Sequence, residues 1–368
     1  EMNFKKILYL LFKVRIHFIC NNKIRRIYKI LNIKKTLDKS IVNEHIRKWS
    51  ILKKIVSPKW LEIYSHVSNK IDINYIPEDI YYTVVENTLN NSMFSLSYSD
   101  KNYYDKIDKN NLFPLTYFRC INGVFYDKTY KVIDKNKINS ILNTIQSFIL
   151  KPSIDSAGGK DINLFIRKNN IFINDNVEFN INILKNKYGN NFIVQEHISQ
   201  NDYYKKFNPT SLNTVRIMTY RSVENEKIIR LHSVLRFGAP GSIVDNQASG
   251  GYSCGINKHG MLKNFYINKN GIKKELEINK NDFNVFKYKD MIKISKNIAQ
   301  KFPYHRILGF DFCVDQKNKI RLIEVNTSSI EINFLQMNNG PLFRDYTNEV
   351  INYCNDNYRT ICIDYYIK

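Results

Sequence analysis

The sequence predicts an α+β protein. Three observations carry that reading: apolar residues at helical spacing through the first third of the chain, a change near residue 112 to short runs of strand character, and no repeat with a period of roughly 20–50 residues. At 368 residues the chain has room for two or three domains around a sizeable core. Its 43% hydrophobic and 24% charged content is that of a folded globule rather than a disordered chain. With 13 glycines and 8 prolines, collagen-like and linker-rich architectures are excluded.

Taken in order, residues 2–35 form a basic amphipathic segment. Ile7, Leu8, Leu11, Phe12 and Val14 stand against Lys5, Lys6, Lys13 and Arg15, and the burst Lys23-Ile24-Arg25-Arg26 follows. Such a segment packs as a terminal helix with a solvated basic side, or lies on the anionic inner face of a membrane. It does not predict a span, which needs about 20 mostly apolar residues. Ile7–Cys20 is broken by Lys13, Arg15 and His17, and the run Ile7–Phe12 is too short for a signal-peptide core. A cytoplasmic protein is expected.

Residues 40–95 keep the helical period, with Ile46, Trp49, Leu52 and Ile55, then Trp60, Leu61 and Tyr64 after Pro58. Tyr75-Ile76-Pro77-Glu78-Asp79 reads as a helix start. Strands are expected at Phe148–Lys151, Asn163–Arg167, Ile171–Ile173 and Phe192–Glu196. A long hairpin, 214–221 with 228–236, turns at Glu224-Asn225-Glu226, and a loop of small residues spans 237–255. A helix over 283–302, strands 308–314 and 320–325, and a helical tail complete the chain. Domain boundaries are placed at 1–40, 41–112, 113–200 and 201–368.

The formal charge of +22 draws in anions: nucleic acid, acidic membrane, nucleotides or acidic sugars. No nucleic-acid-binding motif accompanies it, which disfavours that partner. The six cysteines are scattered without a C-x-x-C pair, which fits a reducing compartment better than a disulfide framework or a zinc site.

The most informative stretch is Gly309-Phe310-Asp311-Phe312-Cys313-Val314-Asp315, a turn, then Ile320-Arg321-Leu322-Ile323-Glu324-Val325-Asn326. A turn centred between Lys317 and Asn318 sets Asp311 opposite Glu324, with Asn326 on the same side. Cβ atoms of such partners lie about 5 Å apart. Two carboxylates there repel by about 3 kcal/mol at an effective dielectric near 20, so a positive group is required. Two carboxylates and an amide carbonyl suit Mg²⁺ or Mn²⁺; a lysine or arginine partner is the other solution.

Upstream, the strand ending at Lys151 leads into Pro152-Ser153-Ile154-Asp155-Ser156-Ala157-Gly158-Gly159-Lys160. A Ser/Gly loop lets backbone N–H groups cradle phosphate, and an ordinary hairpin turn uses the same residues. The Walker and dinucleotide-binding patterns are absent. In the long hairpin, Arg216 and Arg236 share a face, as a bidentate anion site would need and as solvated strand arginines would also do.

Together these elements resemble the ATP-grasp ligases. The resemblance rests on Phe148–Lys160, Phe192-Ile193-Val194-Gln195-Glu196-His197-Ile198, Asn213-Thr214-Val215-Arg216, Arg236 with Asp245-Asn246 and Gly250-Gly251, Gly309-Phe310-Asp311, and Ile323-Glu324-Val325-Asn326. With Asp100-Lys101 through Pro114 it covers roughly residues 95–345. Within that superfamily the sugar-transfer-associated group is the better match, through Ser99-Asp100-Lys101-Asn102-Tyr103, Asn122-Gly123, Val244-Asp245-Asn246, and Gln336 with Gly340-Pro341-Leu342.

The resemblance implies an ATP-grasp fold, small subdomain 113–200 and large subdomain 201–368, after a helix-rich N-terminal region. It implies that Lys101 and Lys151 hold ATP phosphates beneath the loop of Ser156, Gly158, Gly159 and Lys160. Gln195, Glu196 and Ile198 would line the adenine, with Asp202 as the one carboxylate offered to the ribose. Asp311, Glu324 and Asn326 would hold two Mg²⁺ ions, and Arg216 and Arg236 would neutralise an acyl phosphate. The acceptor candidates are Asp245, Asn246, Gly250, Gly251, Glu331 and Gln336, on a glycine-containing loop expected to close over the site and on the segment after the metal strand. The implied activity is ATP-dependent ligation of an amine or amino acid to an acidic sugar or lipid-linked glycan, in capsule or lipopolysaccharide synthesis. Phosphotransfer to a sugar hydroxyl and a non-enzymatic nucleic-acid-binding role stay open as alternatives.

Overall fold

A computed structural model of the chain describes residues 2–34, 37–53, 55–108, 111–154, 161–174 and 177–357. Two antiparallel sheets dominate it, each with seven strands among the described residues. In spatial order the smaller one runs Val124–Asp127, Thr116–Ile121, Phe192–Glu196, Ser147–Pro152, Asn163–Lys168, Ile171–Asn174, Val177–Glu178. The larger runs Lys273–Glu275, Leu262–Ile267, Tyr252–Ile256, Ile228–Phe237, Thr214–Arg221, Ile307–Val314, Ile320–Asn326. The α+β class and the helical N-terminal region are as expected.

The small sheet buries Phe148, Phe165, Phe172 and Phe192 against Ile138 and Leu142 of the helix Lys135–Leu142 and Leu184 of the helix Ile181–Tyr188. The large sheet is the middle of three layers. One face packs Val215, Ile217, Phe310 and Phe312 on the helix Tyr288–Ala299 through Met291 and Ile298. The other packs Met218, Tyr220, Val234 and Ile307 with Trp49, Trp60, Ile24 and Ile27. The N-terminal helices, Met2–Leu31 among them, therefore share their core with the large sheet.

Helix Glu78–Leu89 contains a π-helical stretch, Tyr81–Val85. From its end the buried Glu86 carboxylate accepts the backbone N–H groups of Ser329 and Ile330 at 2.9 Å each. Asn90 next to it donates to the carbonyls of Ile307 and Thr327 and accepts from the N–H groups of Arg306 and Ile307. Every polar group of that buried amide is paired, so it pins the start of one central strand and the end of its neighbour.

Two expectations change. The helix expected over 283–302 begins later, at Tyr288, because Lys287 takes a left-handed conformation (φ 63°) and the residues before it form a separate 3₁₀ turn, Lys280–Phe283. The loop expected to run to 255 yields a strand from Tyr252, which pairs with Ile228–Phe237 in register Ser253 to Arg236. Among the described residues no helix is long and apolar enough to cross a membrane.

Candidate active site

Along the central strands of the large sheet, one face changes from apolar to charged. Tyr220 and Met218 lie in the core, whereas Arg216 and Thr214 on the same side line a cleft. Val234 and Arg236, and Ile307 and Asp311, repeat that change. The cleft, about 700 Å³, lies between the two sheets and receives Lys101, Lys151 and Gln195 from the other side.

The register of the last hairpin sets Asp311 against Glu324 and Gly309 against Asn326 as expected, although Val314 pairs with Ile320 and so centres the turn on Lys317 rather than between Lys317 and Asn318. A bulge just after Asp311 leaves Leu322 paired with Phe312, so Ile323 becomes an extra residue. Ile323 and Glu324 both line the cleft as a result, while Leu322 and Val325 stay in the core.

The structure shows the cationic side-chain solution to the carboxylate repulsion, each carboxylate having its own partner. Asp311 takes a bidentate pair from Arg216 (Nε to Oδ1 2.6 Å, Nη2 to Oδ2 2.5 Å) and a third bond from Arg236 Nη1 at 3.2 Å. Glu324 is held by Lys101 Nζ at 3.0 Å. Burial works to raise the Asp311 carboxyl, but the two guanidiniums outweigh it and hold it below the usual range. Burial would likewise strip Arg216 of its proton, and Asp311 reverses that, raising its pKa. Behind them Asp245 bonds Arg236 at 3.3 Å and accepts from the Thr214 hydroxyl. Its carboxyl is raised, by burial first, with the neighbouring Asp311 charge adding to the effect.

These donors fit a hard divalent cation. Asp311, Glu324 and Asn326 offer two carboxylates and an amide within one face, and Asn326 Nδ2 approaches Asp311 Oδ2 to 3.5 Å. An ionised carboxylate has about four acceptor positions, and Asp311 uses that many on Arg216, Arg236 and Asn326, so a cation there would take the place of one of these donors. Among the described residues no group of three or more His, Cys, Asp or Glu side chains converges as a metal site, so a cation here would rely on two carboxylates and the Asn326 amide.

Lys101 and Lys151 come together from different elements: Lys101 from a 3₁₀ turn capped by Asp100, Lys151 from the strand Ser147–Pro152. The backbone N–H of Lys101 donates to the Ser153 carbonyl, which fixes their spacing. Both side chains are buried. Lys151 is lowered to about 8, by burial first and then by the Lys101 charge. Two ammoniums facing one half-exposed carboxylate make a slot with an excess of positive charge, suited to phosphate oxygens. Ser156, Gly158, Gly159 and Lys160 lie outside the described residues.

On the small-sheet wall, Gln195 is buried, with its amide nitrogen 3.3 Å from the Pro114 carbonyl. Its Oε1 is buried and unpaired among the described residues, one acceptor facing the cleft. Ile198 lines the same wall. Glu196 does more than line it: its carboxylate accepts from the Leu115 N–H at 2.6 Å and from Arg321, tying the small sheet to the last strand of the large one. Asp202 is not brought to the cleft. It lies in the first turn of the helix Asp202–Lys205 with its carboxylate 91% exposed, paired to Lys205.

Of the acceptor candidates, Asp245, Asn246 and Glu331 line the cleft. Gly250 and Gly251 do not; they close a turn in which the Gly251 N–H donates to the Asn246 carbonyl, and a Cβ on Gly251 would lie 2.5 Å from the Asp245 oxygen. Their task is to hold Asp245 and Asn246 in place. The surrounding loop is tied at both ends, since Asn208 donates to the carbonyls of Gly238 and Ala239, and Gln247 donates to Ser253 and Ile267. Gln336 is also structural. Its amide pairs with both backbone groups of Ile76 at 3.0 Å and docks the N-terminal region. Sequence reasoning missed Thr214, Lys205 and Ser329 in the lining. Thr214 was detectable as the residue two before Arg216 on the same strand face.

A model of the family described as sugar-transfer associated ATP-grasp matches residues 83–352, more than half of the chain, and the chain belongs to that family. No protein of curated function matches significantly. Similar solved structures include N5-carboxyaminoimidazole synthetase from Staphylococcus aureus with ADP (11% identity, 68% of this chain and 52% of that one, TM-score 0.37). D-alanyl-alanine synthetase A from Vibrio cholerae is 12% identical over 71% of this chain and 65% of that one, TM-score 0.38. The biotin carboxylase domain of 2-oxoglutarate carboxylase from Hydrogenobacter thermophilus, solved with MgADP, is 15% identical over 70% and 45%, TM-score 0.37. The chain thus spans about half to two-thirds of the length of these structures.

Proposed function

We propose that this ATP-grasp protein is an ATP- and Mg²⁺-dependent, ADP-forming carboxylate–amine ligase. It would join an amine or amino acid to an acidic sugar or lipid-linked glycan of a surface polysaccharide, in the cytoplasm where ATP is supplied. The observation that carries the reading is the facing of Asp311, Glu324 and Asn326 by Lys101 and Lys151 across one cleft, with Arg216 and Arg236 behind. That set supports a triphosphate better than nucleic acid, whose backbone would need an open basic track.

The chemistry follows from the groups present. A carboxylate resists an amine because oxide would have to leave. Attack of its oxygen on the γ-phosphorus releases ADP and leaves a mixed anhydride. The amine nitrogen then bonds to the acyl carbon, the C–O bond breaks, phosphate departs and the nitrogen loses a proton to solvent. Both steps place negative charge on crowded oxygens, and fixed cations in a cleft are preorganised to meet it. Lys101 and Lys151 would hold phosphate oxygens. Arg216 spends Nε and Nη2 on Asp311 and keeps N–H donors on Nη1 for the acyl phosphate, while Arg236 holds Asp245 and Asp311 in position. Mg²⁺ at Asp311, Glu324 and Asn326 would supply Lewis-acid charge neutralisation.

The test is a screen of uronate sugars with amino acids in the presence of MgATP, scored for ADP and free phosphate and for an amide by mass spectrometry. A stable phosphorylated sugar would overturn ligation in favour of phosphotransfer. Failure of the folded protein to bind ATP with or without Mg²⁺ would overturn both.

A further inference from the structure

We infer that the outer face of the N-terminal helix Met2–Leu31 is a docking surface for an anionic lipid bilayer. Its inner face is committed to the fold: Tyr9, Cys20, Ile24 and Ile27 are buried, Tyr9 donates to the Thr83 carbonyl at 3.0 Å, and Lys23 pairs with Glu78 at 2.6 Å. The helix therefore cannot rotate to hide its other side. That side carries Ile7, Leu11, Val14 and Phe18 at spacings of four, three and four residues, with Leu10 beside them, each 54–65% exposed. A stripe of this span is about 16 Å long. Large apolar side chains in a continuous row are not the scattered surface residues any protein carries.

The charge says what covers the stripe. The helix contains Lys5, Lys6, Lys13, Arg15, Lys23, Arg25, Arg26 and Lys29 and not one carboxylate. Along the line of the stripe the exposed residues turn cationic, as Arg25 and Lys29, with Arg15 and Arg26 on its flank also exposed. An apolar half followed by a basic half matches a bilayer surface, where acyl chains lie beneath a layer of phosphates. A second copy of the chain would bring like charges together as the stripes met, which opposes self-association. Nucleic acid would match the cations but leave the apolar row in water.

The experiment is co-sedimentation of the whole protein with vesicles of phosphatidylcholine alone or mixed with phosphatidylglycerol, at low and high salt. Expected is binding to the anionic vesicles only, weakened by salt. Leu11→Glu/Phe18→Glu should weaken it by roughly a hundredfold, the equivalent of two buried side chains. Arg25→Gln/Arg26→Gln/Lys29→Gln should lower it by about fivefold per charge. These positions are exposed, and thermal melting with ATP binding by calorimetry verifies that both variants keep the fold. No binding by the wild type, or equal binding by wild type and both variants, overturns the inference. A concentration-dependent dimer in light scattering that Leu11→Glu/Phe18→Glu abolishes, without vesicle binding, assigns the face to a second copy and overturns it too.

Discussion

Replacing Glu324 by glutamine separates the metal role proposed for this carboxylate from its structural role. The side chain is 32% exposed and its bond to Lys101 is 3.0 Å long, so its loss costs only about 1 kcal/mol of stability once solvent screening is counted. Its effect on nucleotide binding has opposite signs with and without metal. Without Mg²⁺, Glu324 repels the triphosphate that Lys101 and Lys151 attract. One charge pair at roughly 6 Å and an effective dielectric of about 20 is worth about 3 kcal/mol, which exposure reduces to the order of 1 kcal/mol. Metal-free ATP should therefore bind several-fold more tightly to Glu324→Gln. With saturating Mg²⁺, removal of a first-rank oxygen donor should weaken binding by at least about tenfold. Titration calorimetry with ATP in EDTA and in excess Mg²⁺ reads both. A change of the same sign and size in the two conditions refutes the assignment of Glu324 to the metal.

Three further outcomes follow from the same geometry. Asp311→Asn strips a buried counterion from Arg216 and Arg236 and should cost about 3–5 kcal/mol in denaturant unfolding, far more than Glu324→Gln; equal losses would contradict the pairing. Lys151 titrates near 8 because burial and Lys101 lower it, and bound phosphate favours its charged form, so ATP binding should take up a proton above pH 8 and weaken by up to about tenfold per pH unit there. Calorimetry in buffers of different ionisation enthalpy detects that proton, and Lys151→Met should abolish the uptake. Glu86 is raised to about 7, chiefly by burial, so the folded protein binds more protons than the unfolded one between about pH 4.5 and 7 and stability falls as pH rises through that window. The loss is on the order of 3 kcal/mol, and Glu86→Gln should flatten that part of the stability–pH curve.

Much of the site was legible because strands impose simple arithmetic. A side-chain period of two placed Asp311 opposite Glu324 and Arg216 on one face with Arg236, yet each turn lies half a residue from the one expected, and a bulge in each hairpin restores the pairing. The hairpin Thr116–Ile121 with Val124–Asp127 was legible in principle. Its Asn122-Gly123 turn has both residues at positive φ (49° and 82°), the strongest short-range hairpin signal.

What the sequence could not decide was which polar residues spend themselves inside the protein. Asp245, Gln336 and Gly251 are all acceptor candidates in the sequence, yet one lines the cleft, one clamps Ile76 from a helix and one closes a turn. Nor could it show that Glu196 bridges the sheets to Arg321, or that the helices of the first hundred residues pack in the core on one face of the large sheet. By itself the sequence determined the class, the strand positions and the chemical types at the cleft, because those depend on local periodicity, whereas the bulges that fix the final faces do not. The pairing of Asp311 with two arginines, the excess positive charge at Lys101 and Lys151, and the exposure of the stripe on the first helix were decided by tertiary structure alone. Each is a contact between segments far apart in sequence, whose distance no local spacing encodes.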